Sequence, residues 1–147
     1  MNNINLVPIL MADDDPDDRM LTKDALTENK LANNLYFVED GEDLMDYLYQ
    51  RGKYTPETAP RPGLILLDLN MPKLDGREAL KLIKSDQQLK RIPVVVLTTS
   101  KAEGDIVRSY DLGVNSFICK PVTFDELVKV TKDLGNYWFG LVALPKS

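Results

Sequence analysis

At the centre of the chain stands Gly63-Leu64-Ile65-Leu66-Leu67-Asp68-Leu69-Asn70-Met71-Pro72, an apolar run that ends in a carboxylate and stops at a proline. A run this short between turn-forming residues predicts a strand that is buried on both faces of a parallel sheet. Asp68 then lies at the carboxyl end of that strand, where the reactive groups of open α/β sheets gather. Because an isolated Asp more often serves as a helix cap or turn former, the ends of the other strands have to be considered with it.

Further apolar runs of strand length alternate with helical patterns along the chain. The strand-like runs cover residues 7–12, 35–38, 93–97 and 116–119. Apolar residues recur at helical spacing within residues 20–31, 44–48, 79–83, 106–112 and 127–134. Five strands that alternate with five helices predict an α/β fold with one doubly wound parallel sheet and right-handed crossovers.

Composition and charge narrow the class of protein. The 147 residues are 44% hydrophobic and 28% charged, which fits one globular domain with its own core. The net charge of -5 is unfavourable for gripping phosphate backbones, so no direct binding of nucleic acid is expected. There is no signal peptide, no apolar run of the roughly 18 residues that a membrane helix needs, and a single cysteine, so a cytoplasmic protein without membrane contact is predicted. The chain has no histidine, so any phosphohistidine in its chemistry must lie on another protein.

The predicted strands bring five polar side chains to one edge of the sheet. Asp13 and Asp14 follow the first strand, Asp68 ends the third, Thr98 follows the fourth and Lys120 follows the fifth. Three converging carboxylates repel one another, and a hard divalent cation offsets that repulsion, so Mg²⁺, or Mn²⁺ in its place, is predicted here. Lys120 adds a positive charge and Thr98 a hydroxyl donor, which makes this edge complementary to a phosphoryl group on Asp68.

This arrangement resembles the receiver domain of two-component response regulators over about residues 7–134. The residues that carry the resemblance are Asp13-Asp14, Asp68 with Met71-Pro72 and Asp75-Gly76 behind it, Thr98, and Lys120-Pro121. The resemblance implies a flavodoxin-like five-stranded sheet in the order 2-1-3-4-5. It also implies a phosphorylation-activated signalling switch of a histidine-kinase phosphorelay. Such a protein is not an enzyme, apart from slow autophosphorylation and autodephosphorylation.

The resemblance further implies how the acidic residues divide the work. Asp68 is expected to be the phosphoacceptor. Asp14 is expected to be the main metal carboxylate, and Asp13 a metal partner that acts through water. The backbone carbonyl of Asn70 is expected to be a further metal ligand.

The resemblance also implies a switch around the phosphoryl group. Thr98 is expected to bind phosphoryl oxygens and to move on activation, and Lys120 to pair with the phosphate, with the Lys120-Pro121 bond in the cis form. Phe117 stands where many receivers carry a rotating aromatic residue. It can change rotamer, but it has no hydroxyl for a tyrosine-type hydrogen-bond switch.

Organisation and partners follow from the same resemblance. Residues 1–147 are expected to form a single receiver domain with a short C-terminal helical and aromatic extension and no output domain. The lengthened connection at residues 53–62 and the tail at residues 134–139 look like those of regulators paired with phytochrome-type sensor histidine kinases. A homodimer is expected through the fourth helix, fifth strand and fifth helix, helped by residues 137–142, and the sequence does not identify the downstream protein.

Two other functions share parts of the pattern. A phosphatase with Asp68 as nucleophile, in the manner of haloacid dehalogenase-like hydrolases, needs a second Asp two residues on as general acid, and this chain has Asn70 there. A receiver-shaped adaptor that never carries phosphate would not need all of the residues that this chain has for accepting a phosphoryl group. Cys119 is predicted to be a small core residue of the fifth strand.

Overall fold

A computed structural model describes residues 8–28, 35–69, 76–98, 114–119, 125, 128, 129 and 132, with the backbone alone at residues 98 and 114–119. Within these residues one sheet is formed by β1 (Ile9–Ala12), β2 (Leu35–Val38), β3 (Leu64–Asp68), β4 (Val94–Thr98) and β5 (Val114–Cys119). The strand order is β2-β1-β3-β4-β5, and every neighbouring pair is parallel. The predicted flavodoxin-like fold is therefore confirmed.

Helices connect the strands on both sides of the sheet. Those that the structure describes in full are α1 (Pro16–Glu28), α2 (Gly41–Tyr49) and α3 (Gly76–Ser85), and a short 3-10 helix (Leu89–Arg91) precedes β4. Residues 128, 129 and 132 are helical, as predicted for the last helix, and residue 125 just before that range is helical too. The predicted helix at 106–112 lies outside the described residues. Among the described helices, none is both long enough and apolar enough to cross a membrane.

Aspartates set the beginnings of the first two helices. Asp15 Oδ1 accepts the backbone N–H of Asp17 at 2.9 Å, and Pro16 is the first residue of α1, a position that suits proline. Asp40 acts in the same way for α2, since its Oδ1 accepts a backbone N–H at 2.8 Å. Both helices begin shortly after a strand ends, so helix N-termini and strand ends meet at one edge of the sheet.

The sheet separates two apolar layers. In β1, Leu10 and Ala12 join the layer under α2 and α3, whereas Ile9 and Met11 join the layer under α1. β3 divides its side chains between the same two layers, and its residues 65–68 are all buried. The strand buried on both faces, predicted from the central apolar run, is confirmed.

The Pro-rich connection between α2 and β3 is held firmly against the domain. Tyr47 donates its hydroxyl hydrogen to the carbonyl of Pro60 at 2.9 Å, and Gln50 Nε2 donates to the carbonyl of Ala59 at 3.0 Å. Tyr54 packs edge-on against Tyr47 with 5.3 Å between the ring centroids. Burial raises the pKa of Tyr47 well above its ordinary value, so its hydroxyl stays a donor. Ala59 is 1% exposed, so this connection contributes to the core.

β5 begins with an irregularity that the sequence pattern did not show. Val94 pairs with Val114 and Val95 pairs with Ser116, so Asn115 is one extra residue between two rungs of the ladder. From Ser116 onward the pairing is regular. The strand predicted for residues 116–119 is therefore the regular part of a longer strand.

Candidate functional site

Three carboxylates meet at the carboxyl ends of β1 and β3. Asp13 and Asp14 directly follow β1, Asp68 is the last residue of β3, and the two strands are neighbours in the sheet. One carboxylate oxygen from each residue lies within 4.8 Å of the others. Asp13 is 0% exposed and Asp68 1% exposed, whereas Asp14 is exposed. The group therefore has a buried floor and one side open to solvent.

Hydrogen bonds fix Asp13 at the end of β1. Its backbone N–H donates to the carbonyl of Val38 at 3.1 Å, which extends the pairing of β1 with β2 by one rung. Its Oδ1 accepts the backbone N–H of Asp15 at 2.9 Å in the turn that leads to α1. Asp13 is thus tied to the sheet through its backbone and to the following turn through its side chain.

The backbone beside Asp68 is fixed by β4 and by the beginning of α3. Asp68 pairs with Leu97, and the N–H of Leu69 donates to the carbonyl of Leu97 at 3.0 Å. A Cβ at Gly76 would lie 2.6 Å from Leu69 Cα and would also collide with the carbonyl oxygen of Asp68, so only glycine permits this approach. Arg77 Nη1 donates to the carbonyl of Leu69 at 3.3 Å from the same turn.

The three carboxylates fit a hard divalent cation. Carboxylate oxygens are the ligands that Mg²⁺ and Mn²⁺ prefer, and like charges this close repel one another unless a cation lies between them. Mg²⁺ is usually held by one or two protein carboxylates and keeps waters that a phosphate oxygen can replace. The exposed side of the group, at Asp14, gives room for such ligands.

The structure places the remaining predicted site residues only in part. Thr98 ends β4, one position beyond the residue that pairs with Asp68, so both residues lie at the same edge of the sheet. Phe117 lies in β5 opposite Val96. The structure describes only the backbone at Thr98, Phe117 and Cys119. It does not describe Asn70, Lys120, Pro121 or residues 137–142. What the sequence predicts for these residues therefore stays a prediction.

Arg19 lies beside the acidic group and was not predicted from the sequence. From α1 its Nε donates to the carbonyl of Asp13 at 2.7 Å, and its Nη2 donates to the carbonyl of Val38 at 3.3 Å. Its guanidinium carbon lies 5.5 Å from the centre of the Phe37 ring. Because its hydrogen-bond partners are backbone carbonyls, the sequence carries no complementary residue that could have revealed them. The available signal was a basic residue next to a helix start that is otherwise acidic.

Comparison with known proteins defines the class to which this fold and site belong. The response regulator receiver domain matches residues 9–132. The response regulator Rcp1 of Synechocystis sp. is 44% identical over 139 residues, which are 95% of this chain and 93% of that protein. The chain belongs to the response regulator receiver domain family.

Solved structures narrow the relationship within the family. The phosphorylated cyanobacterial phytochrome response regulator RcpA is 46% identical with a TM-score of 0.75, and the match covers 90% of this chain and 94% of that one. The Mn²⁺-bound form of Rcp1 is 43% identical with a TM-score of 0.75, and the match again covers 90% and 94% of the two chains. The chain is therefore homologous to phytochrome response regulators, and it carries the acidic pocket in which receiver domains bind Mg²⁺ or Mn²⁺.

Proposed function

We propose that this protein is a phosphorylation-activated switch that accepts a phosphoryl group on Asp68. The observation that carries the proposal is the convergence of Asp13, Asp14 and Asp68 within 4.8 Å at the ends of two neighbouring strands. Asp14 is the main metal carboxylate, Asp13 acts through water, and the backbone carbonyl of Asn70 is a further ligand. Similarity to one regulator solved in phosphorylated form and to another solved with Mn²⁺ supports a phosphoryl group and a divalent cation in this proposal.

The proposed reaction is the transfer of one phosphoryl group from a phosphohistidine. A carboxylate oxygen of Asp68 attacks the phosphorus, the bond between phosphorus and the histidine nitrogen breaks, and the nitrogen leaves with the electron pair. The donor belongs to another protein, because this chain has no histidine. A Mg²⁺ or Mn²⁺ ion held by the acidic group of Asp13, Asp14 and Asp68 would neutralise charge on the phosphoryl oxygens. Asp68 is 1% exposed and is the last residue of a strand, so the sheet keeps the attacking carboxylate in place.

The proposed switch uses residues at the ends of β4 and β5. The Thr98 hydroxyl and the Lys120 ammonium bind phosphoryl oxygens, Thr98 moves towards the phosphate, and Phe117 repacks behind it. The position of Thr98, one residue beyond the partner of Asp68, supports its part in this set. The conformational equilibrium of the surface formed by the fourth helix, β5 and the fifth helix then shifts. A homodimer forms through this surface with the help of residues 137–142.

The proposed partner is a sensor histidine kinase of the phytochrome type. The similarity to phytochrome response regulators supports this choice. A single receiver domain over residues 1–147 and a cytoplasmic location remain predictions from the sequence. Apart from slow autophosphorylation and autodephosphorylation we propose no catalytic activity, because a phosphatase of the haloacid dehalogenase type needs an acid where this chain has Asn70.

The intact mass of the protein after incubation with acetyl phosphate and Mg²⁺ tests the proposal. The wild type and the control Asp24→Asn, which changes an exposed acid of α1, are expected to gain one phosphoryl group. Asp68→Asn, and wild type in chelator, are expected to gain none. A wild type without adduct would favour the adaptor, and fast multiple-turnover hydrolysis of a generic phosphate ester would favour the phosphatase.

A further inference from the structure

Arg19 connects α1 to the strand ends that carry the acidic residues. Its Nε lies 2.7 Å from the carbonyl oxygen of Asp13, and its Nη2 lies 3.3 Å from the carbonyl oxygen of Val38. The same carbonyl of Val38 accepts the backbone N–H of Asp13 at 3.1 Å, so the guanidinium lies across the last rung between β1 and β2. A planar, charged guanidinium can serve two carbonyls in one fixed geometry, and its hydrogen bonds are stronger than those of a neutral donor.

The consequence of these contacts falls on Asp13. Its N–H donates to Val38, its carbonyl accepts from Arg19, and its Oδ1 accepts from Asp15. A residue held at three points and 0% exposed has little freedom to move its carboxylate. Mg²⁺ demands near-ideal octahedral geometry, so its affinity depends on how accurately the protein places the oxygens around it.

Arg19 is itself held in place by its surroundings. Its guanidinium lies over the ring of Phe37, 5.5 Å from the centroid, which is a favourable cation-π distance. Its backbone N–H donates to the carbonyl of Asp15 at 3.1 Å in the first turn of α1. The side chain is half-buried, so its stem also packs against the domain. Arg19 therefore links the helix, the turn and two strands as one rigid unit.

We propose that Arg19 is a positioning residue of the metal site: by holding the carbonyl of Asp13 against the end of β2, it keeps the Asp13 carboxylate in the geometry that binds the divalent cation. The inference rests on the proposed function and adds a residue that acts through Asp13. The positive charge of Arg19 taken alone opposes cation binding. The charge of Arg19 thus weakens cation binding, whereas its positioning of Asp13 strengthens it, and substitutions can separate the two effects.

The substitution Arg19→Lys tests the geometric part. Lysine keeps the positive charge but offers a point donor in place of the planar fork, so it cannot hold both carbonyls in the same way. The Mg²⁺ dissociation constant, measured by isothermal titration calorimetry on folded protein, is expected to rise about 10-fold, as for other partners that orient metal ligands. Lys23→Gln is the matched control, because Lys23 is exposed one turn further along α1, and its constant is expected to stay within about twofold of wild type.

Two further readouts separate positioning from a general role in folding. At saturating Mg²⁺ the Arg19→Lys protein is expected to be phosphorylated by acetyl phosphate at the wild-type rate, because the loss lies in metal binding. A purely structural role would lower the melting temperature of the metal-free protein and leave the Mg²⁺ dissociation constant unchanged. If Arg19→Lys does not fold, Arg19→Gln takes its place with the same expected direction, since lost placement outweighs the lost charge.

The outcomes distinguish this inference from the function on which it rests. Weaker Mg²⁺ binding by Arg19→Lys, with wild-type binding by Lys23→Gln, supports the positioning role. An unchanged constant in Arg19→Lys, beside a wild type that does bind Mg²⁺, overturns the inference and leaves the proposed function standing. A wild type that binds no Mg²⁺ overturns both.

Discussion

At the scale of single residues, the site depends on a close backbone approach as well as on its carboxylates. Gly76 begins α3 directly against the backbone that follows Asp68. The carbonyl of Asp68 and the Cα of Leu69 occupy the space that any side chain at Gly76 would need. The glycine therefore lets α3 and β3 meet where the proposed phosphoacceptor is held.

Replacing Gly76 by alanine is expected to destabilise the fold. The new methyl group forces the backbone near Asp68 to shift, which costs up to about 3 kcal/mol for an overpacked site, so after the gain of about 1 kcal/mol in helix propensity a net loss of up to about 2 kcal/mol is expected. Urea unfolding measures the difference. Glu78→Ala, an exposed change in the same turn, serves as the control. A Gly76→Ala protein as stable as wild type would show that the close approach is not required.

The positions of the site residues in the sequence explain which of them could be predicted. Asp13, Asp14 and Asp68 could be predicted to converge because each follows an apolar run, and parallel strands bring their carboxyl ends together. Arg19 could not be predicted in the same way, because its contacts run to backbone carbonyls of Asp13 and Val38, which every sequence possesses. Its part in the site therefore becomes visible only in the folded chain.

At the scale of elements, the carboxylate of Asp86 stabilises the connection from α3 to β4. Asp86 Oδ1 accepts the N–H of Leu89 at 3.0 Å and the N–H of Gln88 at 2.8 Å, at the beginning of the 3-10 helix. These hydrogen bonds from Leu89 and Gln88 lower the pKa of Asp86 below its ordinary value. Its charged form is thus favoured by folding, and the stabilisation is lost as pH falls through the lowered pKa.

This contribution predicts a pH-dependent difference between wild type and Asp86→Ala. Near neutral pH the variant is expected to unfold at a lower urea concentration, because the turn before the 3-10 helix loses the hydrogen bonds from Gln88 and Leu89 to the Asp86 carboxylate. The gap between the two midpoints is expected to close as pH falls below the ordinary pKa of an aspartate and through the lowered pKa of Asp86, because the wild-type carboxylate is then protonated. Gln88→Ala, in the same turn but without a titratable group, should give a gap that does not change with pH. A pH-independent gap for Asp86→Ala would show that the charge of Asp86 does not stabilise this turn.

The elements themselves were easier to predict than their side-chain partners. The strands stand out as short apolar runs, and their positions are confirmed. The helical pattern included Met20 and Leu82, but the structure leaves these side chains 62% and 44% exposed. Each lies two residues away from a buried position and therefore points to another side of its helix. The anchoring of the Pro-rich connection by Tyr47 joins residues 13 apart and leaves no periodic signal.

At the scale of the whole molecule, the order of the strands decides where the chemistry lies. β1 and β3 are central neighbours in the sheet, so the acids at their ends meet, and β4 with Thr98 at its end lies next to β3. Alternation of strands and helices predicted a doubly wound sheet, but periodicity does not specify which strand lies next to which. That order was predicted through the resemblance to receivers, and the structure confirms it.

The proposed output at this scale is a change of assembly. Beryllofluoride, which mimics an aspartyl phosphate, is expected with Mg²⁺ to convert the wild type from monomer to dimer in sedimentation velocity experiments. Asp68→Asn should remain a monomer under the same conditions, because it lacks the carboxylate that the mimic occupies. The same monomer mass with and without beryllofluoride would remove the dimer from the proposal and would leave phosphorylation itself untouched.

The proposed phosphoacceptor is Asp68, and the chemistry of an aspartyl phosphate allows the modified residue to be identified directly. Borohydride reduces an aspartyl phosphate to homoserine, and peptide mass spectrometry then locates the change. Trypsin is expected to release residues 54–73 as one peptide, because Arg61 precedes Pro62, and Asp68 is the single aspartate in it. This assignment predicts homoserine at Asp68 after treatment with acetyl phosphate and Mg²⁺, and none in chelator. Homoserine at Asp13 or Asp14, with Asp68 unchanged, would contradict it.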